Sequence, residues 1–107
     1  MIFDDRLQKA LDYLINTDES AAKAKSYMLG LENQEKTILA TEQLKHEGTA
    51  QHKEAMARTS EAYTTWQEYY KQSVYDFEIM RNRRSTAALI VELWRTEQAN
   101  RRAGNIQ

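Results

Sequence analysis

The sequence predicts an all-α protein: a long antiparallel helical hairpin, coiled-coil-like, with a break or kink near residue 17 and assembly as a dimeric bundle. Three observations predict it. First, the 107 residues contain no proline, and their three glycines fall at Gly30, Gly48 and Gly104. Proline stops a helix and glycine weakens one, so few positions can interrupt a helix. Second, Gly48 lies almost at the midpoint of the chain, where a reversal pairs two halves of similar length. Third, Met56, Thr59, Tyr63, Trp66, Tyr70, Ser73, Phe77, Met80, Arg84, Ala87, Val91, Trp94 and Gln98 are spaced alternately by three and four residues. That is a seven-residue repeat, the seam of a left-handed helical coil.

Taken in order, Leu7, Leu11 and Leu14 mark one apolar face of a helix over about 3–15. Thr17 in Asn16-Thr17-Asp18-Glu19-Ser20 can cap a second helix, whose acidic first turn suits the helix dipole. The alternative is one helix that runs on with a kink. Ala21, Ala24, Met28, Leu31 and Ile38 continue the apolar face, so that helix covers about 18–46. Gly30 inside it costs on the order of 1 kcal/mol relative to alanine. The turn is Glu47-Gly48-Thr49: glycine past a helix end takes the left-handed conformation, and Thr49 caps the next helix. That helix is expected to run unbroken over about 50–102, its stripe widened by Ala62, Tyr69, Leu89, Ile90 and Leu93. Folding back at Gly48 puts Leu31 near Trp66, Met28 near Tyr70, Ala21 near Phe77, Leu14 near Arg84 and Leu7 near Val91. The whole, 1–107, reads as one domain.

A two-helix hairpin has a thin core, and this chain carries two tryptophans, six tyrosines and two phenylalanines to cover. A homodimer answers that need, with Tyr63, Trp66, Tyr70, Phe77, Met80 and Trp94 as the oligomer seam. Arg84 falls within the seam and is expected to form a buried ion pair with an acid of the other helix or subunit.

Catalytic chemistry finds little to work with. There is no glycine-rich phosphate loop, no HExxH helix and no nucleophile motif, so no catalytic residue, cofactor or small-molecule substrate is expected. Without cysteine, disulfides and thiolate metal sites are excluded, and the expected setting is cytoplasmic. No apolar run of about 18 residues is present, so no membrane partner is expected. The start, Met1-Ile2-Phe3-Asp4-Asp5, is acidic and unlike a signal peptide. His46 and His52 straddle the turn near Glu42, Glu47 and Glu54; the plain reading is two solvated histidines, and no metal is assigned to them.

Charge is the sharper signal. The net charge is −1, but residues 1–80 carry nine Lys/Arg against fourteen Asp/Glu, while residues 81–107 carry six arginines against Glu92 and Glu97. Arginine offers a planar fork of donors that matches phosphates and carboxylates. Arg81, Arg83, Arg95, Arg101 and Arg102 are therefore candidates to bind nucleic acid or an acidic partner, with Trp94 and Tyr75 as candidate stacking platforms. The other reading is structural: arginines that pair with local acids or complement the end of a helix. A third reading uses the same cluster for docking on an acidic protein surface, as an adaptor or inhibitor that never touches nucleic acid.

Several stretches add a resemblance. Tyr13-Leu14 with Thr17-Asp18-Glu19, the central Glu47-Gly48-Thr49, Arg81-Asn82-Arg83-Arg84, and Trp94-Arg95 with Ala99-Asn100-Arg101-Arg102-Ala103-Gly104-Asn105-Ile106 resemble a group of short phage- and prophage-encoded helical proteins. The resemblance spans nearly the whole chain and carries no catalytic residue. It implies a virus-encoded accessory protein acting in the host cytoplasm, in DNA recombination or replication or against host defence. The expectation is therefore a non-enzymatic phage protein that binds DNA or a nucleoprotein machine through its arginine-rich C-terminal helix. The alternative is an adaptor or inhibitor of a host protein.

Overall fold

The computed structural model describes residues 2–106, with side chains from Asp5 to Gly104. The acidic start up to Asp4 and the closing Asn105 and Ile106 thus lie outside the described side chains. The described residues are all helix and turn: α1 (Ile2–Gln43), α2 (Ala50–Arg58) and α3 (Glu61–Ile106). None of these helices is long and apolar enough to cross a membrane.

The break expected near residue 17 is absent, and α1 runs through it. The Thr17 hydroxyl does not cap a new helix; it donates back to the Tyr13 carbonyl at 2.6 Å, one turn earlier. A threonine bonded in that way sits within a helix without ending it. The expected end at about 46 also moves. After Gln43 the amides of Lys45 and His46 bond to Glu42 and Gln43, three residues back, and the chain leaves the helix. Gly48 then takes φ 119°, the left-handed region that a side chain disfavours. Thr49 caps α2 as expected, its side chain accepting the His52 amide at 3.1 Å.

The helix expected to run unbroken over about 50–102 is two helices. At Thr59-Ser60 the side chains compete for the backbone. Thr59 Oγ1 donates to the Ala55 carbonyl at 3.0 Å, and Ser60 Oγ to the Ala57 carbonyl at 2.6 Å. Ser60 Oγ in turn accepts the Tyr63 amide at 3.2 Å, three residues on, which is the bond of an N-cap. The seven-residue repeat registers the interruption. Met56 and Thr59 are exposed, whereas every repeat position from Tyr63 to Gln98 is buried or half-buried.

By its contacts the chain divides into two compact units: 1–22 with 78–107, and 23–77. In the 23–77 unit, α1 runs antiparallel to the start of α3. The Trp66 indole N–H donates to the Leu31 carbonyl at 2.7 Å, and the Tyr63 hydroxyl to Glu35 at 2.8 Å. Trp66 stacks on Tyr63, with ring centres 5.3 Å apart, and on Tyr70 at 5.2 Å with the planes 6° from parallel. Ala57 closes this core with no exposed surface, and the buried Ser73 hydroxyl bonds to the Tyr70 carbonyl.

The 1–22/78–107 unit is held differently. Its buried hydrophobic residues, among those described, are Ala10 and Ala87, one from each helix. Two alanines let backbones approach closely but fill little volume. Arg84 supplies a polar clamp: its guanidinium donates to the Leu14 carbonyl at 2.9 Å, to the Thr17 hydroxyl at 2.7 Å and to Asp18. The expected neighbours Leu31/Trp66 and Leu14/Arg84 thus meet.

Candidate functional site

Beside the buried Ala10 and Ala87 lies an open groove of about 530 Å³ within the 1–22/78–107 unit. One wall comes from α1 and carries Arg6, Lys9, Ala10 and Tyr13. The other comes from α3 and carries Asn82, Arg83, Thr86, Ala87 and Ile90. Each wall is one helical face, since positions i, i+3, i+4 and i+7 fall on one side of a helix. The faces match in kind. Arg6, Lys9, Ala10 and Tyr13 place two cations, a small residue and a large ring; Arg83, Thr86, Ala87 and Ile90 place a cation, a hydroxyl, a small residue and a branched aliphatic. The floor is therefore apolar, and cations rise from both sides.

The charges around this groove are not all equally available. Lys9 lies 3.3 Å from Asp5, with both side chains more than two-thirds exposed, so that pair is loose. Among the described residues Arg6 and Arg83 take part in no ion pair. The other arginines of the cluster are more occupied. Arg81 pairs with Glu78 at 3.3 Å, Arg95 with Glu92 at 3.2 Å and Arg101 with Glu97 at 3.0 Å, all on their own helix. Arg84 is committed to Leu14, Thr17 and Asp18; its ion pair is half-buried rather than buried, because the Asp18 side chain is 72% exposed. Arg102 is exposed and has no ion-pair partner among the described residues.

The charge asymmetry also changes meaning once the units are known. Residues 1–22 hold two bases and five acids, and residues 78–107 hold six bases and three acids, so their shared unit is formally neutral. The arginine-rich end is thus a local patch with its counter-charge close by on the same unit.

The remaining candidates are placed as follows. Tyr63 and Trp66, read as oligomer seam, are 4% and 7% exposed within a single chain, and their polar tips bond to α1. The seam is filled internally there, because the repeat that could bind a second chain first finds the other helix of its own. Tyr70, Phe77, Met80 and Trp94 are half-buried. The Trp94 indole N–H is buried without a hydrogen-bond partner among the described residues. Tyr75 is 62% exposed. His46 is half-buried and His52 exposed, and no group of three His, Cys, Asp or Glu among the described residues is arranged to hold a metal ion.

One polar network sits beside the break between α2 and α3. Arg58 pairs with Glu54 at 3.1 Å and reaches the Tyr63 hydroxyl, which donates to Glu35. The hydrogen bond to Glu35, aided by burial, holds the Tyr63 phenol above its ordinary pKa. Its hydrogen bond to Glu54 raises Arg58 further above an already high value, so Arg58 stays charged throughout. The network fastens the 23–77 unit.

Sequence reasoning selected Arg83 from the groove and missed Arg6, Lys9, Tyr13, Asn82 and Thr86. The signal was present as the repeated i, i+3, i+4, i+7 spacing on both helices, with alanine at the third position each time. It was hidden by counting Arg6 and Lys9 into an acidic stretch. No family model matches the chain, and no curated protein or solved structure matches it.

Proposed function

We propose that this is a non-enzymatic docking protein that binds an acidic surface of a protein partner through the groove of the 1–22/78–107 unit. The observation that carries the reading is the apolar floor bordered by Arg6, Lys9 and Arg83 from two helices, two of the three without an ion pair among the described residues. A groove with both features suits a partner that brings apolar side chains and carboxylates together. The resemblance to phage-encoded helical proteins fits this reading as an accessory protein that acts by occupying a host protein.

Nucleic-acid binding through Arg81, Arg83, Arg95, Arg101 and Arg102 is the second reading. It rests on the arginine content of the C-terminal helix. The local pairing of Arg81, Arg95 and Arg101 with glutamates, and the neutral balance of the unit, weigh against it. A homodimer remains part of the proposal on the ground of the thin core, using exposed side chains such as Tyr69 and Tyr75 in place of Tyr63 and Trp66. Sedimentation at micromolar concentration decides it, with a 12.5 kDa species as the contrary result.

Affinity capture from a host extract treated with nuclease separates the two main readings. The docking reading expects a protein retained after nuclease and lost when Arg6, Lys9 and Arg83 are changed to glutamate. Capture that vanishes with nuclease, together with direct DNA binding that falls steeply with salt, supports the nucleic-acid reading instead.

A further inference from the structure

The groove alone has the volume of a small-molecule site, but the apolar surface does not stop at its edge. Leu89 and Leu93 are 58% and 57% exposed. They continue the spacing set by Asn82 and Thr86: positions 82, 86, 89 and 93 alternate by four, three and four and so form one stripe on α3. From 82 to 93 that stripe rises about 16 Å, three helical turns. Its far side from the seam is open, and on the groove side stand Arg83, Arg6 and Lys9.

A fatty acid or a single aromatic carboxylate would fill the groove and leave Leu89 and Leu93 wet. A nucleic acid would use the cations and leave Leu89 and Leu93 uncovered. An α-helix matches both features: it offers apolar side chains at alternating three and four spacing to cover Leu89, Leu93 and the groove floor, polar ones beside Asn82 and Thr86, and carboxylates along its flanks to meet the cations. We infer that the stripe Asn82–Leu93, together with the groove beside it, is a seat for an acidic amphipathic helix of a partner protein. The inference rests on the docking reading above and adds the conformation and charge of the segment that docks. Arg83 and Arg6 contribute orientation and choice of partner, as rim charges do, while Leu89, Leu93 and Ile90 supply the buried contact.

The test uses the full chain and a synthetic, fluorescently labelled peptide of about 18 residues, five turns of helix, with leucines at alternating three and four spacing and glutamates beside them. Three more probes accompany it: the same composition interrupted by two central prolines, which prevent a helix; lysine in place of glutamate; and dodecanoate. A single-stranded oligonucleotide completes the set. The expected result is saturable binding of the helical glutamate peptide, with amide shifts in NMR confined to residues near Tyr13, Ile90 and Leu93. Affinity should drop on the order of tenfold or more in the Leu89→Ser/Leu93→Ser variant, and similarly in Arg6→Glu/Arg83→Glu. All four substituted side chains are exposed or lie at the groove rim, and circular dichroism confirms that each variant keeps its helix content.

Equal binding of the proline-broken peptide overturns the helical seat but leaves the acidic protein partner standing. Binding of dodecanoate alone, or of none of the probes, also overturns it. Preference for the lysine peptide or the oligonucleotide overturns both the seat and the docking reading.

Discussion

The two units are built from stretches of the same two long helices, yet they use their side chains in opposite ways. The 23–77 unit turns its largest rings inward. Tyr63, Trp66 and Tyr70 form a continuous stack, and the polar ends of the first two are satisfied by Glu35 and Leu31. The 1–22/78–107 unit buries two alanines, is clamped by one arginine, and leaves Leu89 and Leu93 exposed. Bulky side chains that fill a helix interface stabilise it and leave nothing over. Small ones bring the backbones close, leave a groove alongside, and push the larger apolar residues to its edge. The first arrangement supports the fold, and the second leaves Leu89 and Leu93 exposed.

That contrast can be broken most severely at Trp66. Replacing it with alanine removes the centre of the stack and should destabilise the protein by about 3–5 kcal/mol, read by chemical denaturation. Trp66→Phe keeps part of the ring in the stack and deletes the bond to Leu31, so the loss should fall to about 1–2 kcal/mol. A Trp66→Ala variant as stable as the parent would remove the claim that this stack supports the fold.

Next come the polar devices. Arg84→Ala removes three hydrogen bonds from a half-buried guanidinium, but its partner Asp18 is largely solvated, so a loss of about 1–2 kcal/mol is expected. Ser60→Ala removes the cap of α3 and should cost about 0.5–2 kcal/mol. Tyr63→Phe should cost about 1 kcal/mol at neutral pH. It also has a pH consequence. Because the fold holds the Tyr63 phenol above its ordinary value of 10.0, its neutral form is favoured in the native state. That contribution is fully present below pH 10 and is lost as the pH rises through the folded value. The parent should therefore lose stability in strong alkali more steeply than Tyr63→Phe, and identical alkaline profiles would contradict the assigned bond.

The smallest effect on stability is expected at the groove. Arg6→Glu and Arg83→Glu alter exposed charges without ion pairs among the described residues, and each should change stability by no more than about 0.5 kcal/mol. The division between the units is sharpened if these silent positions are the ones that matter for binding.

The all-helical class, the turn at Gly48, the Thr49 cap and the neighbours of Trp66 and Arg84 were legible because they follow from local chemistry and a repeat of fixed period. The interruption at Ser60 was obscured by that same repeat, which continues across it in sequence although Ser60 caps a new helix. Thr17 shows the reverse case. Threonine can cap a helix or bond back within one, and here Arg84 from α3 engages its hydroxyl while Tyr13 receives its proton. The groove was the least legible feature. Its cations come from two segments whose charges cancel when summed along the chain, and only their placement on facing walls gives them a common role.

The most direct measurement of the central claim pairs a melt with a titration on one variant, Arg6→Glu/Lys9→Glu/Arg83→Glu. The account predicts a melting temperature within roughly 5 °C of the parent, and an affinity for the acidic helical peptide lower by on the order of tenfold or more. A variant that melts alike and binds the peptide as tightly as the parent would contradict it.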